Sequence, residues 1–148
     1  MIAKWLIKLN NWINREVVWR VYRLFSGGSM ARHFLLLLTR GRKTGNVRTV
    51  MITYLRENAT FLVVASNGGQ TRIPAWYHNL RAHPQAEIQV GKQRFQVDAE
   101  IVPPDEHERL WAAWLKQYPA YENAQKKTTR RFPLVRLISR EKRANIFG

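Results

Sequence analysis

Apolar residues recur at steps of three and four along the first 25 positions: Ile2, Trp5, Leu6, Leu9, Trp12 and Ile13, with Lys4, Lys8, Asn11 and Arg15 on other faces. That spacing predicts an amphipathic helix. Val17, Val18, Val21, Leu24 and Phe25 prolong the stripe beside Arg20 and Arg23, and Gly27-Gly28 stops it. Beyond this the pattern is that of strands. Residues 33–39 and 47–55 flank a polar, glycine-containing stretch, 40–46, that reads as a hairpin loop. Glu57-Asn58 marks a turn, residues 60–66 a third strand and Asn67-Gly68-Gly69 a loop. A short helix is expected over 74–82, with proline at its start and Pro84 past its end. Residues 86–90 form a strand that turns at Gly91-Lys92. Phe95, Val97, Ala99 and Ile101 then alternate with Arg94, Gln96, Asp98 and Glu100, as in a strand with one face in water.

Pro103-Pro104 ends that strand, and Asp105, Glu106 and Glu108 place negative charge in the first turn of a helix, where the macrodipole favours it. Leu110, Trp111, Trp114 and Leu115 form its apolar face. A second short helix over 120–127 and a last strand over 134–138 complete the order, before a basic tail expected to fray. Strand–helix–strand alternation does not persist, so a parallel doubly wound sheet is disfavoured. Hairpin-linked antiparallel strands closing into a small barrel fit better. The expected class is mainly β with helices (α+β), divided into an N-terminal helix, 1–28, and a barrel domain, 29–148.

Composition narrows the chemistry. The 148 residues, 45% hydrophobic, suit one core. The absence of cysteine excludes disulfides, thiolate nucleophiles and cysteine-held metal clusters. The four histidines, His33, His78, His83 and His107, lack metal-ligand spacing, so no metal is expected. No run is long and apolar enough to span a bilayer, and Lys4, Lys8, Arg15 and Glu16 interrupt any signal-peptide core. The expected location is the cytoplasm, or the inner face of the membrane. Twenty-five Lys and Arg against ten Asp and Glu give +15. Such a field attracts nucleic acid, an anionic membrane or a phosphorylated and carboxylated cofactor, and does not choose among them.

Four segments carry candidate chemistry. In Arg40-Gly41-Arg42-Lys43-Thr44-Gly45, with Arg48 beyond, two glycines allow a tight turn. Consecutive N–H groups can then converge on an anion among several cations, and phosphate is the natural guest. A solvated basic hairpin is the equal alternative. Ala65-Ser66-Asn67-Gly68-Gly69 puts small residues at a strand end, where a flat ligand can approach; a plain turn is the simpler reading. Trp76 and Tyr77 offer ring faces for stacking or, alternatively, for core packing. Tyr118 and Tyr121, three apart, can share a helix face and line a pocket, while Lys126, Lys127, Arg130 and Arg131 read as a solvated basic face. No nucleophile elbow and no GxGxxG loop is present.

Taken in order, Gly41-Arg42-Lys43-Thr44-Gly45, Val64-Ala65-Ser66-Asn67-Gly68-Gly69, residues 74–84 (PAWYHNLRAHP), Tyr118-Pro119-Ala120-Tyr121 and Thr128-Thr129-Arg130 resemble the deazaflavin-dependent nitroreductase family over roughly residues 31–138. The resemblance implies a split β-barrel related to the flavin-mononucleotide-binding barrels. It also implies an 8-hydroxy-5-deazaflavin coenzyme (F420 type), whose phosphodiester and polyglutamate tail agree with the +15 charge, and which is favoured over flavin mononucleotide. By position, Arg42, Lys43, Thr44 and Arg48 would hold the phosphate. Ala65, Ser66, Asn67, Gly68 and Gly69 would border the ring, and Trp76 and Tyr77 would lie along the coenzyme groove. Tyr118 and Tyr121 would face the acceptor, with Ser66 a third hydroxyl near the ring. The chain departs from the family pattern at Asn67, where a lysine is common, at Ala124, a place that can hold a third pocket tyrosine, and at His83, where asparagine is common.

The implied reaction is hydride transfer from the reduced deazaflavin to a quinone, nitroaromatic or activated alkene. The rival is a non-catalytic basic barrel that binds a flavin-like ligand, an anionic membrane or nucleic acid. Small RNA-binding barrels carry aromatics on strands; here they fall in loops and helices, so nucleic acid is not expected. The stripe within residues 1–25 suits either an anionic membrane surface or packing over the barrel.

Overall fold

The computed structural model describes residues 30–141 together with the single position Arg20. The expected N-terminal helix, its membrane-facing or packing role, and the basic tail lie outside the described residues.

A short helix, α1 (Met30–His33), leads into strand β1 (Phe34–Arg40), which pairs antiparallel with β2 (Val47–Thr53) from Phe34↔Thr53 to Arg40↔Val47. The hairpin loop over 41–46 is where the glycines place it. The expected strand 47–55 is not continuous. It breaks at Tyr54, and the chain resumes as β3 (Leu55–Glu57) and, after a turn with Asn58 at φ 53, β4 (Thr60–Val64). The remaining elements are a 3-10 turn (Asn67–Gly69), α2 (Ala75–Ala82), β5 (Gln85–Val90), β6 (Gln93–Ile101), α3 (Pro104–Gln117), α4 (Tyr121–Lys126) and β7 (Leu134–Ser139).

The seven strands form one sheet in the order β2-β1-β5-β6-β7-β4-β3, with every ladder antiparallel. β2 and β3 are its opposite edges, yet only Tyr54 separates them in the chain. Seven strands laid flat span about 29 Å. Two residues of chain reach at most about 7 Å. The sheet is therefore rolled until its edges meet, without a ladder between β2 and β3, which is a split barrel. Tyr54 is the corner. Its N–H donates to the His33 carbonyl at 3.0 Å and its hydroxyl to the Ala31 carbonyl at 2.6 Å. These two bonds turn the chain out of one edge and into the other.

Alternation along the strands divides the apolar side chains between two cores. Leu35, Leu37, Phe61, Val63, Ile88, Val97, Val135 and Leu137 fill the barrel, and Trp76, Tyr77 and Leu80 of α2 plug it. The other face of β4 and β7 offers Leu62, Val64 and Leu134 to Leu110 and Trp114 of α3. Each fully buried side chain of this kind contributes about 1.5–3 kcal/mol. Helix α3 starts with Pro104 at its first position and Asp105 and Glu106 in its first turn, as the pattern expects. The alternation in β6 holds through Ala99 and fails at Ile101, which is 44% exposed; the next residue, Val102, takes the buried place beneath α3.

Candidate active site

The loop between β1 and β2 is held by its own backbone. Gly41 N–H donates to the Asn46 carbonyl at 2.7 Å, Gly45 N–H to the Gly41 carbonyl at 2.8 Å, and Asn46 N–H to Thr44 Oγ1 at 3.2 Å. Gly45 sits at φ 73, in the left-handed region open to glycine. At Gly41 a Cβ would lie 3.0 Å from Thr44 Oγ1 and 3.1 Å from the Asn46 carbonyl. The expectation that many N–H groups converge on an anion is therefore met only in part. Gly41, Arg42, Gly45 and Asn46 spend theirs inside the protein; Lys43 and Thr44 keep theirs, among the described residues. Arg42, Lys43 and Arg48 are exposed, and none has a carboxylate partner among the described residues. That donor set fits a phosphate.

Helix α2 anchors this loop through a residue whose importance the sequence pattern did not reveal. Asn79, 5% exposed, accepts the Arg42 N–H at Oδ1 (3.1 Å) and donates from Nδ2 to Thr39 Oγ1 (3.1 Å). One buried amide thus ties the helix to both sides of Arg40. Burial, then Arg42 and then Arg81, pushes the imidazole of the neighbouring His78 below its ordinary pKa. Trp76 and Tyr77, each 8% exposed, pack into the barrel core behind the loop, so core packing describes both.

At the end of β4, Ala65 and Ser66 are buried and the chain turns through Asn67 (φ 48), Gly68 (φ 65) and Gly69 (φ 83). Gly69 has a second reason to be glycine, since a Cβ there would lie 2.6 Å from the Ala124 carbonyl of α4. The close approach is thus to a helix of the protein itself. Asn67 Nδ2 donates to the Arg72 carbonyl at 2.9 Å. Arg130 reaches the same loop with most of its guanidinium: Nε to the Gln70 carbonyl (2.8 Å), Nη1 to Ala65 (3.1 Å), Nη2 to Ser66 (2.6 Å) and, at the long limit, to Arg72 (3.5 Å). Burial pushes its pKa below the ordinary arginine value. The expected solvated basic face holds for Lys126 and Lys127 and fails for Arg130; Arg131, though exposed, donates from Nε to His107 Nδ1 at 3.0 Å.

The two tyrosines are brought together, though not by one helix. Tyr118 caps the end of α3 and Tyr121 opens α4, with ring centroids 6.2 Å apart and both against Trp114. Tyr118 donates its hydroxyl to the Tyr54 carbonyl at 2.7 Å, so His33 Nδ1, 3.4 Å from the same oxygen, must be the donor in that contact. Burial, then Tyr54 and Tyr121, raises the Tyr118 pKa. Tyr121 is half-buried, and its hydroxyl is unengaged among the described residues. Tyr121 and Ala124 share a face of α4, and Ala124 abuts Gly69. The helix that Tyr121 opens thus meets the 65–72 loop through Ala124. The cationic hairpin is connected to that loop through the short run from Arg72 into α2, whose Asn79 holds the hairpin backbone.

The family described as F420H(2)-dependent quinone reductase matches residues 8–138. A protein of Mycobacterium tuberculosis (strain ATCC 25618 / H37Rv), named F420H(2)-dependent quinone reductase, is 40% identical over 138 residues, 91% of each chain. A solved F420-H2 dependent reductase superposes with TM-score 0.66 at 33% identity, over 72% of this chain and 94% of that one. A solved domain-swapped dimer superposes with TM-score 0.68 at 30% identity, over 86% and 98%.

Proposed function

The chain belongs to the F420H(2)-dependent quinone reductase family, and on that premise we propose that the hairpin and the 65–72 loop form the site where it binds its coenzyme and meets its acceptor. The enzyme is an oxidoreductase: reduced F420 supplies a hydride, and a quinone accepts it. The observation that carries the site is the hairpin over 41–46, whose cations lack carboxylate partners among the described residues while Asn79 holds its backbone.

Arg42, Lys43 and Arg48, with the Thr44 hydroxyl and the N–H groups of Lys43 and Thr44, bind the phosphate. Ala65, Ser66, Asn67, Gly68 and Gly69 border the ring, with Trp76 and Tyr77 forming the wall behind. Holding donor and acceptor in contact is the protein's main task. A quinone that receives a hydride carries negative charge on oxygen. Tyr121, whose hydroxyl is unengaged among the described residues, is the first candidate to donate a proton there; Ser66 is the second candidate, and Tyr118, already hydrogen-bonded to Tyr54, is the third. Nitroaromatics and activated alkenes accept a hydride by the same chemistry and are further acceptors under this reading.

Fluorescence titration with F420 and with flavin mononucleotide, on the wild type and on Arg42→Ala, tests the site. F420 is expected to bind more tightly than flavin mononucleotide. Arg42→Ala is expected to cost about 1.5–3 kcal/mol, the scale of a charged hydrogen bond. Equal affinities for the two ligands, or an Arg42→Ala variant that binds F420 like the wild type, would place the coenzyme elsewhere.

A further inference from the structure

Arg130 is unused in the reading above, and its arrangement is unusual for an arginine. It has no carboxylate partner among the described residues. Its guanidinium instead spans both ends of one loop, taking the carbonyls of Ala65 and Ser66 at the start and of Gln70 and Arg72 at the close. The group lies 4.9 Å from the centroid of Phe132, which is fully buried, so the fork is fixed in orientation as well as in position. The loop it holds has three consecutive residues at positive φ, and its internal hydrogen bonds, from Gly69 N–H to Ser66, from Gln70 N–H to Asn67 and from the Asn67 amide to Gln70 and Arg72, do not reach the rest of the fold. Two glycines among those three make it intrinsically adaptable.

We propose that Arg130 is a positioning residue: it bolts the 65–72 loop to the segment following α4, and so sets the separation between Ser66 on the coenzyme side and Tyr121 on the acceptor side. The inference rests on the site assigned above and adds to it a cause for its spacing. α4 touches the loop where Ala124 meets Gly69, and the Ala65 N–H donates to the Pro133 carbonyl at 2.9 Å, but neither contact ties the close of the loop at Gln70 and Arg72, which is left free to pivot. Four hydrogen bonds from one planar group remove that freedom. Lysine cannot replace them, because an ammonium is a point donor that cannot span carbonyls at both ends of a loop. A misplacement of about 1 Å between reacting groups costs on the order of 10²-fold in rate, whereas capture of a polyanionic coenzyme by the hairpin does not depend on that distance. Arg130 therefore governs the transfer step and not coenzyme affinity.

The test uses the full chain and Arg130→Lys, with Ser66→Ala and Tyr121→Phe alongside. F420 affinity is measured by fluorescence titration, and oxidation of bound reduced F420 by menadione in single-turnover stopped flow. The primary isotope effect is read with coenzyme deuterated at C5, and thermal midpoints are recorded for each variant. Arg130→Lys is expected to slow transfer about 10- to 100-fold, with a full isotope effect and coenzyme affinity within about threefold of wild type. A folded Arg130→Lys that transfers at the wild-type rate overturns the proposal; if Tyr121→Phe or Ser66→Ala is slow in the same assay, the site assignment stands without it. Slow transfer accompanied by a matching loss of affinity also overturns it, since Arg130 would then be a general staple. If Arg130→Lys is slow while both hydroxyl variants are unaffected, the Ser66–Tyr121 assignment falls, and with it what Arg130 is said to position.

Discussion

Two neighbouring phenols hold their protons on different terms. The Tyr118 proton is committed to the Tyr54 carbonyl, the corner of the barrel, whereas the Tyr121 hydroxyl is unengaged among the described residues. Tyr118 therefore reads first as a structural group and Tyr121 as a donor available to an acceptor. Tyr118→Phe is expected to lower stability by about 1–3 kcal/mol, because it leaves the Tyr54 carbonyl without its donor. Tyr121→Phe should leave stability nearly unchanged and slow turnover with a quinone by at least about tenfold, the low side of general-acid assistance. Denaturant unfolding and steady-state kinetics on both variants check the contrast. An equal loss of stability in the two, or a Tyr121→Phe with wild-type turnover, would reduce Tyr121 to a shape-filling ring. The residue pattern marks Tyr121 as a pocket candidate and Ser66 as part of a small-residue strand end, and only the resemblance says what they would face, since a hydroxyl carries no local signal of its partner.

At the level of elements, the helices do more than cover the sheet. α2 plugs the barrel and pins the phosphate hairpin; α3 closes the second core and is tied to β7 by a paired contact. Glu106 accepts from both terminal nitrogens of Arg136 at 3.0 Å, and Arg109 adds a looser contact at 3.7 Å. The hydrogen bond from Arg136 is the main reason the Glu106 carboxyl is held below its ordinary value of 4.5, against a smaller desolvation that would raise it. A carboxylate with a depressed folded pKa stabilises the fold above its unfolded value, and that contribution is lost as the pH falls through the folded value. The thermal midpoint is therefore expected to decline below about pH 4.5. Glu106→Gln should lower the midpoint at neutral pH and flatten this acid limb. A melt series from neutral to strongly acid pH decides it, and an acid limb of unchanged steepness in Glu106→Gln would show that other carboxylates set it.

The whole molecule is a strongly cationic split barrel, and among its described residues Arg42, Lys43 and Arg48 of the hairpin are exposed. Among the described residues, Glu57, Glu87, Asp98 and Glu106 are engaged with arginines of the strands and helices, leaving the hairpin cations facing water. Screening by salt acts on exposed charges over a Debye length of about 10 Å at 0.1 M. Coenzyme affinity should accordingly fall as salt rises, and the dependence should be shallower for Arg42→Ala, while the KM for an uncharged quinone should scarcely move. Titrations across a range of sodium chloride read this directly. A salt-independent affinity would mean that the phosphate is held by buried contacts and not by the exposed hairpin.

What the amino-acid order determined by itself is local. Period-two and period-three-to-four patterns located strands and helices, Pro104 and the acids after it opened α3, and paired glycines shaped a cationic hairpin. These signals are legible because each depends on neighbours a few residues away. The tertiary structure decided what non-adjacent residues meet. Residues 47–55 read as one strand because every position suits a strand; the break at Tyr54 comes from bonds to Ala31 and His33, more than twenty residues earlier. Arg130 read as one cation in a solvated run because its partners, the carbonyls of the 65–72 loop, lie 58 to 65 positions away. Asn79 looked like an ordinary helix residue until rolling of the sheet brought Thr39 and Arg42 to either end of its amide. A backbone carbonyl is identical at every position, so a sequence cannot mark which ones a side chain will hold.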